Sequence, residues 1–272
     1  MTKYYLTACL MFKDAARYLD EWLRFHLNVG FDHFYLFDNN SSDDYNTVVQ
    51  PFIDAGRVTL TIWPGVAQMD RILAHCLDAY RHTTRWMAFL DDDEFLFPAT
   101  ADTMPQVLEK YEGFAGVAVC WLLFGSSGHR TRPAGLVTMA FRRREASVNA
   151  HVKCIVNPKK VITPSIIGHA FVCCSGEVIV DEKFEPMDGP FAKHPTSDVI
   201  CLNHYISKSF EEMRQRRSGL PACKDEVIYS YEQYAESDAK LNDLEDLRIQ
   251  RFARVVKRQQ LFARLNSLSL GR

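Results

Sequence analysis

Residues 85–94 constrain this chain more than any other stretch. Arg85-Trp86-Met87-Ala88-Phe89-Leu90 reads as a short buried strand, and it runs directly into Asp91-Asp92-Asp93-Glu94-Phe95. Four adjacent carboxylates repel one another, and without a counter-charge some would be driven to protonate. A divalent cation with oxygen ligands removes the conflict. The carboxyl end of a strand is also where open α/β sheets bind ligands. The stretch therefore reads as an Asp-x-Asp site for a metal and a diphosphate. The plainer alternative is an acidic turn with its side chains in water.

The pattern around it is that of an α/β protein. Strand-like runs at Tyr4–Phe12, His33–Phe37, Arg57–Trp63, Arg85–Leu90 and Val117–Phe124 are rich in β-branched and aromatic residues. A helix between the first two starts at Asp14 as its cap and stops at Gly30, with Tyr18, Leu19, Trp22, Leu23 and Leu27 facing the sheet. Further helices are expected at 69–81 and 104–111. This alternation predicts a mixed, mostly parallel sheet flanked by helices.

The second half changes character. Leu136–Arg144, Val152–Val156, Val161–Thr163 and Ile200–Tyr205 read as strands, and Phe171–Cys174 with Glu177–Val180 as a hairpin around Ser175-Gly176. Ser209 and Glu212 fit a capping box, Gly219 and Pro221 close that helix, and the last sixty or so residues are mostly helical in pattern. The expected division is a core over 1–206, with halves at about 1–98 and 99–206, and a helical extension over 207–272 within the same domain.

A net charge of −2 argues against a nucleic-acid partner. None of the eight cysteines forms a Cys-x-x-Cys pair, so zinc or thioredoxin chemistry is not expected. With no export signal or membrane span in the pattern, the expected setting is cytoplasmic with reduced thiols. The segment 248–272 has seven basic residues and no acid, with Phe252, Val255, Val256 and Phe262 on one helical face. That face either docks on the protein, the favoured reading, or lies peripherally on an anionic membrane.

A second polar strand end follows His33–Phe37, in Asp38-Asn39-Asn40-Ser41-Ser42-Asp43. It is either an ordinary turn or the place where a nucleoside is held. Here the chain resembles a family. Glu21–His26 with Gly30–Asp43, Trp86–Phe95, Trp121–His129 and Leu202–Ser209 are similar, in order, to segments of glycosyltransferase family 92 and the related family 2-like enzymes. The resemblance covers roughly residues 4–260. It implies a GT-A fold, a uridine-linked nucleotide-sugar donor, a glycan or glycolipid acceptor, and Mn2+ or Mg2+. It also implies that the core over 1–206 is catalytic, its first half holding the nucleotide and its second the acceptor.

The resemblance also assigns roles. Asp38, with Asn40, contacts the nucleoside. Asp91 and Asp93 form the Asp-x-Asp pair, Asp93 being the direct metal ligand, with Glu94 in support and His204 as a third contact. Lys208 and Arg216 or Arg217 hold the diphosphate. Trp121, Ser126, His129 and Lys153 are candidates for sugar or acceptor contacts, and His169 matches a family position of no evident role. Inversion is implied, but Glu145, Glu177, Asp181, Glu182, Glu185 and Asp188 all remain open as general base. Two other classes stay in view. One is a catalytically silent nucleotide-sugar or glycan-binding protein on the same fold. The other is an aspartate-nucleophile phosphatase, which Glu94-Phe95 fits poorly.

Overall fold

The computed structural model describes residues 2–166, 168–218 and 230–270, without the side chains of 216–218, 264 and 266–270. Strand β1 (Tyr4–Phe12) is buried from Leu6 to Leu10 on both faces, as a strand covered by helices must be. β2 (His33–Asp38) runs parallel to it, with Phe12 opposite Asp38, and β3 (Val58–Ile62) continues in parallel beyond β2. β4 (Thr84–Phe89) pairs in parallel with the other side of β1, with Cys9 opposite Phe89.

The connections are helical. α1 (Ala16–Asn28) buries Leu19, Trp22, Leu23 and Phe25, and Gly30 ends the turn after it at φ 102°. A side chain at Gly30 would also meet Pro105 Cδ at 2.7 Å. The expected cap at Asp14 is corrected. Asp43 Oδ2 accepts from the Ala16 amide at 2.7 Å, while Asp14, at φ 52°, accepts from the Ser42 amide at 2.6 Å. Both bonds tie the loop after β1 to the loop after β2. α2 (Tyr45–Asp54), capped by Asp44, lies outside the helices marked out by periodicity. α3 (Met69–Tyr80) matches its expected span.

Beyond β4 come β5 (Glu94–Pro98), α4 (Met104–Leu108) with a 3-10 turn over Glu109–Tyr111, and β6 (Gly116–Leu123). α5 (Val137–Ala140) and the short β7 (Arg143–Arg144) replace the strand expected over 136–144. β8 (Val152–Val156) is antiparallel to both β4 and β6. β9 (Val161–Ile166) pairs with β10 (Ala170–Cys173), whereas β11 (Ile179–Val180) joins β6 in parallel. The expected hairpin at Ser175-Gly176 is therefore not formed. Ile179 and Val180 are buried against the large sheet instead.

With β12 (Ile200–His204), the nine-stranded sheet has the order β3-β2-β1-β4-β8-β6-β12-β5, and β11 sits beside β6. α6 (Phe210–Ser218), α7 (Tyr231–Ala239), β13 (Leu244–Glu245) and α8 (Gln250–Leu270) follow. Ser209 and Glu212 form the expected capping box, with hydroxyl and carboxylate 2.5 Å apart. Gly219 and Pro221 lie outside the described residues.

The chain divides into two compact units, one of residues 1–121 and 149–202 and one of 122–148 and 203–272. In the second unit, the near half of α8 docks as expected. Phe252, Ala253 and Val256 are buried, and Gln250 Nε2 donates to Thr138 O at 2.6 Å. The face does not continue, because Val255 is exposed and Phe262 is 66% exposed. Among the described residues no helix is long and apolar enough to cross a membrane, and every described cysteine is free.

Candidate active site

β1 has parallel partners on both sides, and the chain passes first to β2 and only later to β4. The two polar strand ends therefore lie on one edge of the sheet, on either side of β1, where doubly wound sheets bind ligands. Asp38 closes β2, and Asp91 follows β4 by two residues.

The acidic turn is held rigidly. Glu94 N donates to Asp91 O at 3.1 Å, and Asp91 N donates to Glu94 Oε2 at 2.9 Å. Trp22 Nε1 in α1 donates to both Asp91 O and Glu94 O, at 3.1 and 2.9 Å. Trp22 thus does more than face the sheet, because its indole bolts the turn to the first helix.

The counter-charge demanded by the carboxylates comes from the chain itself. Lys153, in the middle of β8, places Nζ 2.8 Å from Asp91 Oδ2 and 3.3 Å from Glu94 Oε2. Burial works against the charge on Lys153, but the carboxylates of Glu94 and Asp91 outweigh it and hold the ammonium above its usual range. Glu94 is fully buried, and its other oxygen accepts from Trp121 Nε1 at 2.7 Å. Asp93 is also fully buried. Asp91 differs, since its side chain is 34% exposed and its Oδ1 has no protein partner among the described residues.

Trp121 is engaged on two sides. His151 stacks on it with ring centroids 5.1 Å apart, and His169 meets it edge-on at 5.2 Å. The exposed ring of Phe191 packs against His151 at 4.3 Å, which puts an accessible aromatic face at Phe191 as well. His151 and Phe191 escaped the sequence reading because no motif marks them. His169 was visible only as a family position.

At the other strand end, Asp38 is buried and its Oδ1 accepts from the Ser41 amide at 3.0 Å. Asn40 is exposed at φ 61°, with Nδ2 3.3 Å from Gly65 O. Asn39 is the structural member of the pair, donating to Trp63 O and Gly65 O at 2.8 and 2.9 Å.

The remaining candidates belong to the second unit. His204 is buried at the end of β12, and its carbonyl accepts from Phe124 N at 2.9 Å. Lys208 is buried at φ 48°, and its carbonyl accepts from Tyr234 Oη at 2.7 Å. Ser126 is committed to Asp238, its hydroxyl 2.5 Å and its amide 2.9 Å from that carboxylate. His129, Arg143, Tyr231 and Asn242 line, with Ser126, a cavity of about 340 Å³. The side chain of Arg217 lies outside the described residues.

A family model described as glycosyltransferase family 92 matches residues 4–239. The chain belongs to glycosyltransferase family 92. A family 92 protein of Oryza sativa subsp. japonica is 28% identical over 219 residues, covering 79% of this chain and 35% of its own length. A galactan beta-1,4-galactosyltransferase of Arabidopsis thaliana is 28% identical over 166 residues, covering 54% and 32%. Among solved structures, S. aureus TarS 1-349 is similar with a TM-score of 0.35 and 11% identity, covering 57% of this chain and 47% of that one. The chain spans about a third of the length of the curated family 92 relatives it matches.

Within this family 92 chain the donor chemistry at Asp91 suits a hard divalent cation, which takes carboxylate oxygens. Among the described residues no group of three or more His, Cys, Asp or Glu side chains is arranged to hold a metal ion. The open Oδ1 of Asp91 is the oxygen that such a cation would take.

Proposed function

We propose that this chain transfers a sugar from a uridine-linked nucleoside-diphosphate sugar to a hydroxyl of a glycan or glycolipid, with inversion, and that Mn2+ or Mg2+ is required. Membership of family 92 supports the reaction class. The observation that carries the reading to a site is Asp91, at the carboxyl end of β4, with Oδ1 open and Oδ2 pinned by Lys153. A carboxylate fixed at one oxygen and open at the other is a preorganised ligand.

On this reading the Asp91 carboxylate would hold the cation. When bound, the cation would stabilise the negative charge that develops on the departing diphosphate. Asp38 and Asn40 would contact the nucleoside. Lys208 and Arg217 would hold the diphosphate. Lys153 fixes the turn and keeps it from carrying an unbalanced negative charge. Ser126 and His129 belong to the proposed acceptor region, where the Ser126 side chain orders the loop through Asp238 and His129 lines the cavity. Phe191 and Trp121 supply aromatic surface for a pyranose ring. Peripheral contact with an anionic membrane would use exposed Leu261, Phe262 and Leu265 on the far half of α8.

The test is incubation with a panel of UDP-sugars and Mn2+, with and without glycan acceptors, followed by mass spectrometry of the acceptor. The galactan galactosyltransferases among the relatives make UDP-galactose and β-1,4-galactan oligosaccharides the first pair to try. The expected result is acceptor extension with release of UDP. Folded protein that extends no acceptor and releases no UDP from any donor would defeat the reading.

A further inference from the structure

Inverting transfer needs a base for the acceptor hydroxyl, and several carboxylates open to that role are tied down. Both oxygens of Glu182 accept from backbone amides, at 2.8 Å from Asp198 and 3.0 Å from Val199 and Ile200. Asp181 Oδ1 accepts from the amides of Lys183 and Glu185, at 2.8 and 2.9 Å. Glu177 pairs with Lys160 at 2.9 Å. A carboxylate held this way gives up its acceptor bonds when it takes a proton, so it makes a poor base.

A histidine beside Trp121 has the opposite arrangement. His169 Nδ1 lies 2.7 Å from Val152 O. A carbonyl only accepts, so Nδ1 carries the proton and Nε2 holds the lone pair. Nε2 has no protein hydrogen bond among the described residues, and the side chain is half-buried. The ring is fixed by its edge-on contact with Trp121, whose indole is anchored to Glu94. Its backbone is fixed too. Cys154 N donates to Gly168 O at 3.1 Å, and Gly168, at φ 73°, lies so close to Phe89 that a Cβ there would meet the Phe89 Cβ at 3.1 Å.

The surroundings also hold the imidazole neutral. Burial, followed by the positive charge of Lys153, lowers its pKa from the ordinary histidine value. The groups facing it are Lys153 and His151, which disfavour the cation, Asp91, which favours it, and Cys154, whose Sγ lies 3.2 Å from the His169 carbonyl oxygen.

We propose that His169 is the general base of the transfer, an inference that rests on the glycosyltransferase reading of this site. The acceptor hydroxyl gives its proton to His169 Nε2 as its oxygen bonds to the anomeric carbon. The bond from that carbon to the diphosphate oxygen breaks, and its electron pair leaves with the nucleoside diphosphate. The imidazolium that forms then loses its proton to solvent. Atoms and charge balance with no further reactant.

The test compares wild type with His169→Gln and His169→Ala. Binding is read from the melt shift given by UDP and Mn2+. Turnover is read from UDP release with acceptor across pH. We expect kcat to fall about 10²–10⁴-fold in His169→Gln, with UDP binding retained. The wild-type acid limb, below about pH 6.5, should be lost in that variant. Added imidazole should restore part of the rate of His169→Ala. Nitrogen-15 NMR of the wild-type imidazoles should show one Nδ1–H tautomer that stays neutral below about pH 6.5, a readout independent of how the variants fold. Wild-type kcat in His169→Gln, or an Nε2–H or charged His169 at neutral pH, would overturn the assignment while leaving the transferase reading intact. Wild type that neither binds UDP nor releases it from any donor would overturn both.

Discussion

Lys153 places its ammonium 2.8 Å from the Asp91 carboxylate, joining the middle of β8 to the acidic turn after β4. The two residues are 62 positions apart in sequence. The same ammonium lies 3.3 Å from Glu94, so one cation balances two carboxylates where the turn enters the sheet.

Removing that cation should leave buried negative charge without compensation. Lys153→Met is expected to lower stability by about 3–5 kcal/mol, the usual effect of breaking a buried pair on one side. Adding Glu94→Gln should recover much of the loss, because the neutral amide keeps hydrogen-bonding capacity and needs no counter-charge. Urea denaturation of the two variants tests this. Wild-type stability in Lys153→Met would contradict it.

The open oxygen of Asp91 gives a metal-dependent expectation. UDP should raise the Tm more with Mn2+ than in excess chelator, and Asp91→Asn should remove most of that difference with little change in the ligand-free melt. A Mn2+ effect that survives in Asp91→Asn would place the cation elsewhere.

His26 gives the fold a pH dependence of its own. It is fully buried in α1, where Nδ1 donates to Trp22 O at 2.9 Å and Nε2 accepts from Leu96 N at 3.2 Å. Burial lowers its pKa to about 3 from the usual 6.5. The folded state thus keeps the ring neutral while the unfolded chain protonates it. This contribution is complete above about pH 6.5 and is lost progressively as pH falls toward about 3. Its share should be about 2 kcal/mol between roughly pH 7 and pH 5. His26→Gln can keep a donor and an acceptor but cannot titrate, so its stability should fall less steeply over that range. Parallel slopes for the two proteins would refute the assignment.

Much of the site frame is legible in the sequence, because strand ends and helix faces are local features. Periodicity placed Trp22 toward the sheet, and the apolar run before Asp91 identified β4. What local pattern does not carry is which distant residue balances a charge. The carboxylates required a cation, but a lone lysine inside the apolar run 152–156 gives no local sign that it reaches Asp91. The β9–β10 pairing was missed for a related reason. Ser175-Gly176 is a good turn signal, yet Ile179 and Val180 gain more burial beside β6 than in a local hairpin.

The second unit separates two roles along α8. Phe252→Asp puts a charge among buried Ile249, Ala253 and Val256 and is expected to cost several kcal/mol. Phe262→Asp acts at an exposed position and should change the melt little, by about 0.5 kcal/mol or less. If the far half of the helix contacts anionic membranes, Phe262→Asp should also weaken co-sedimentation with anionic vesicles, and salt should weaken it further. Equal melts for the two variants would contradict the docking of the near half.

Glycosyl transfer is proposed to take place at the turn around Asp91, braced by Lys153. Its most direct measurement is UDP release from UDP-sugars with Mn2+ and acceptor glycan, run side by side on wild type and folded Asp91→Asn. Wild type should turn over at least one donor, and the variant should lose about 10²-fold or more, the scale of losing one preorganised electrostatic contact. Equal turnover by the two proteins, or none by wild type with any donor, would contradict it.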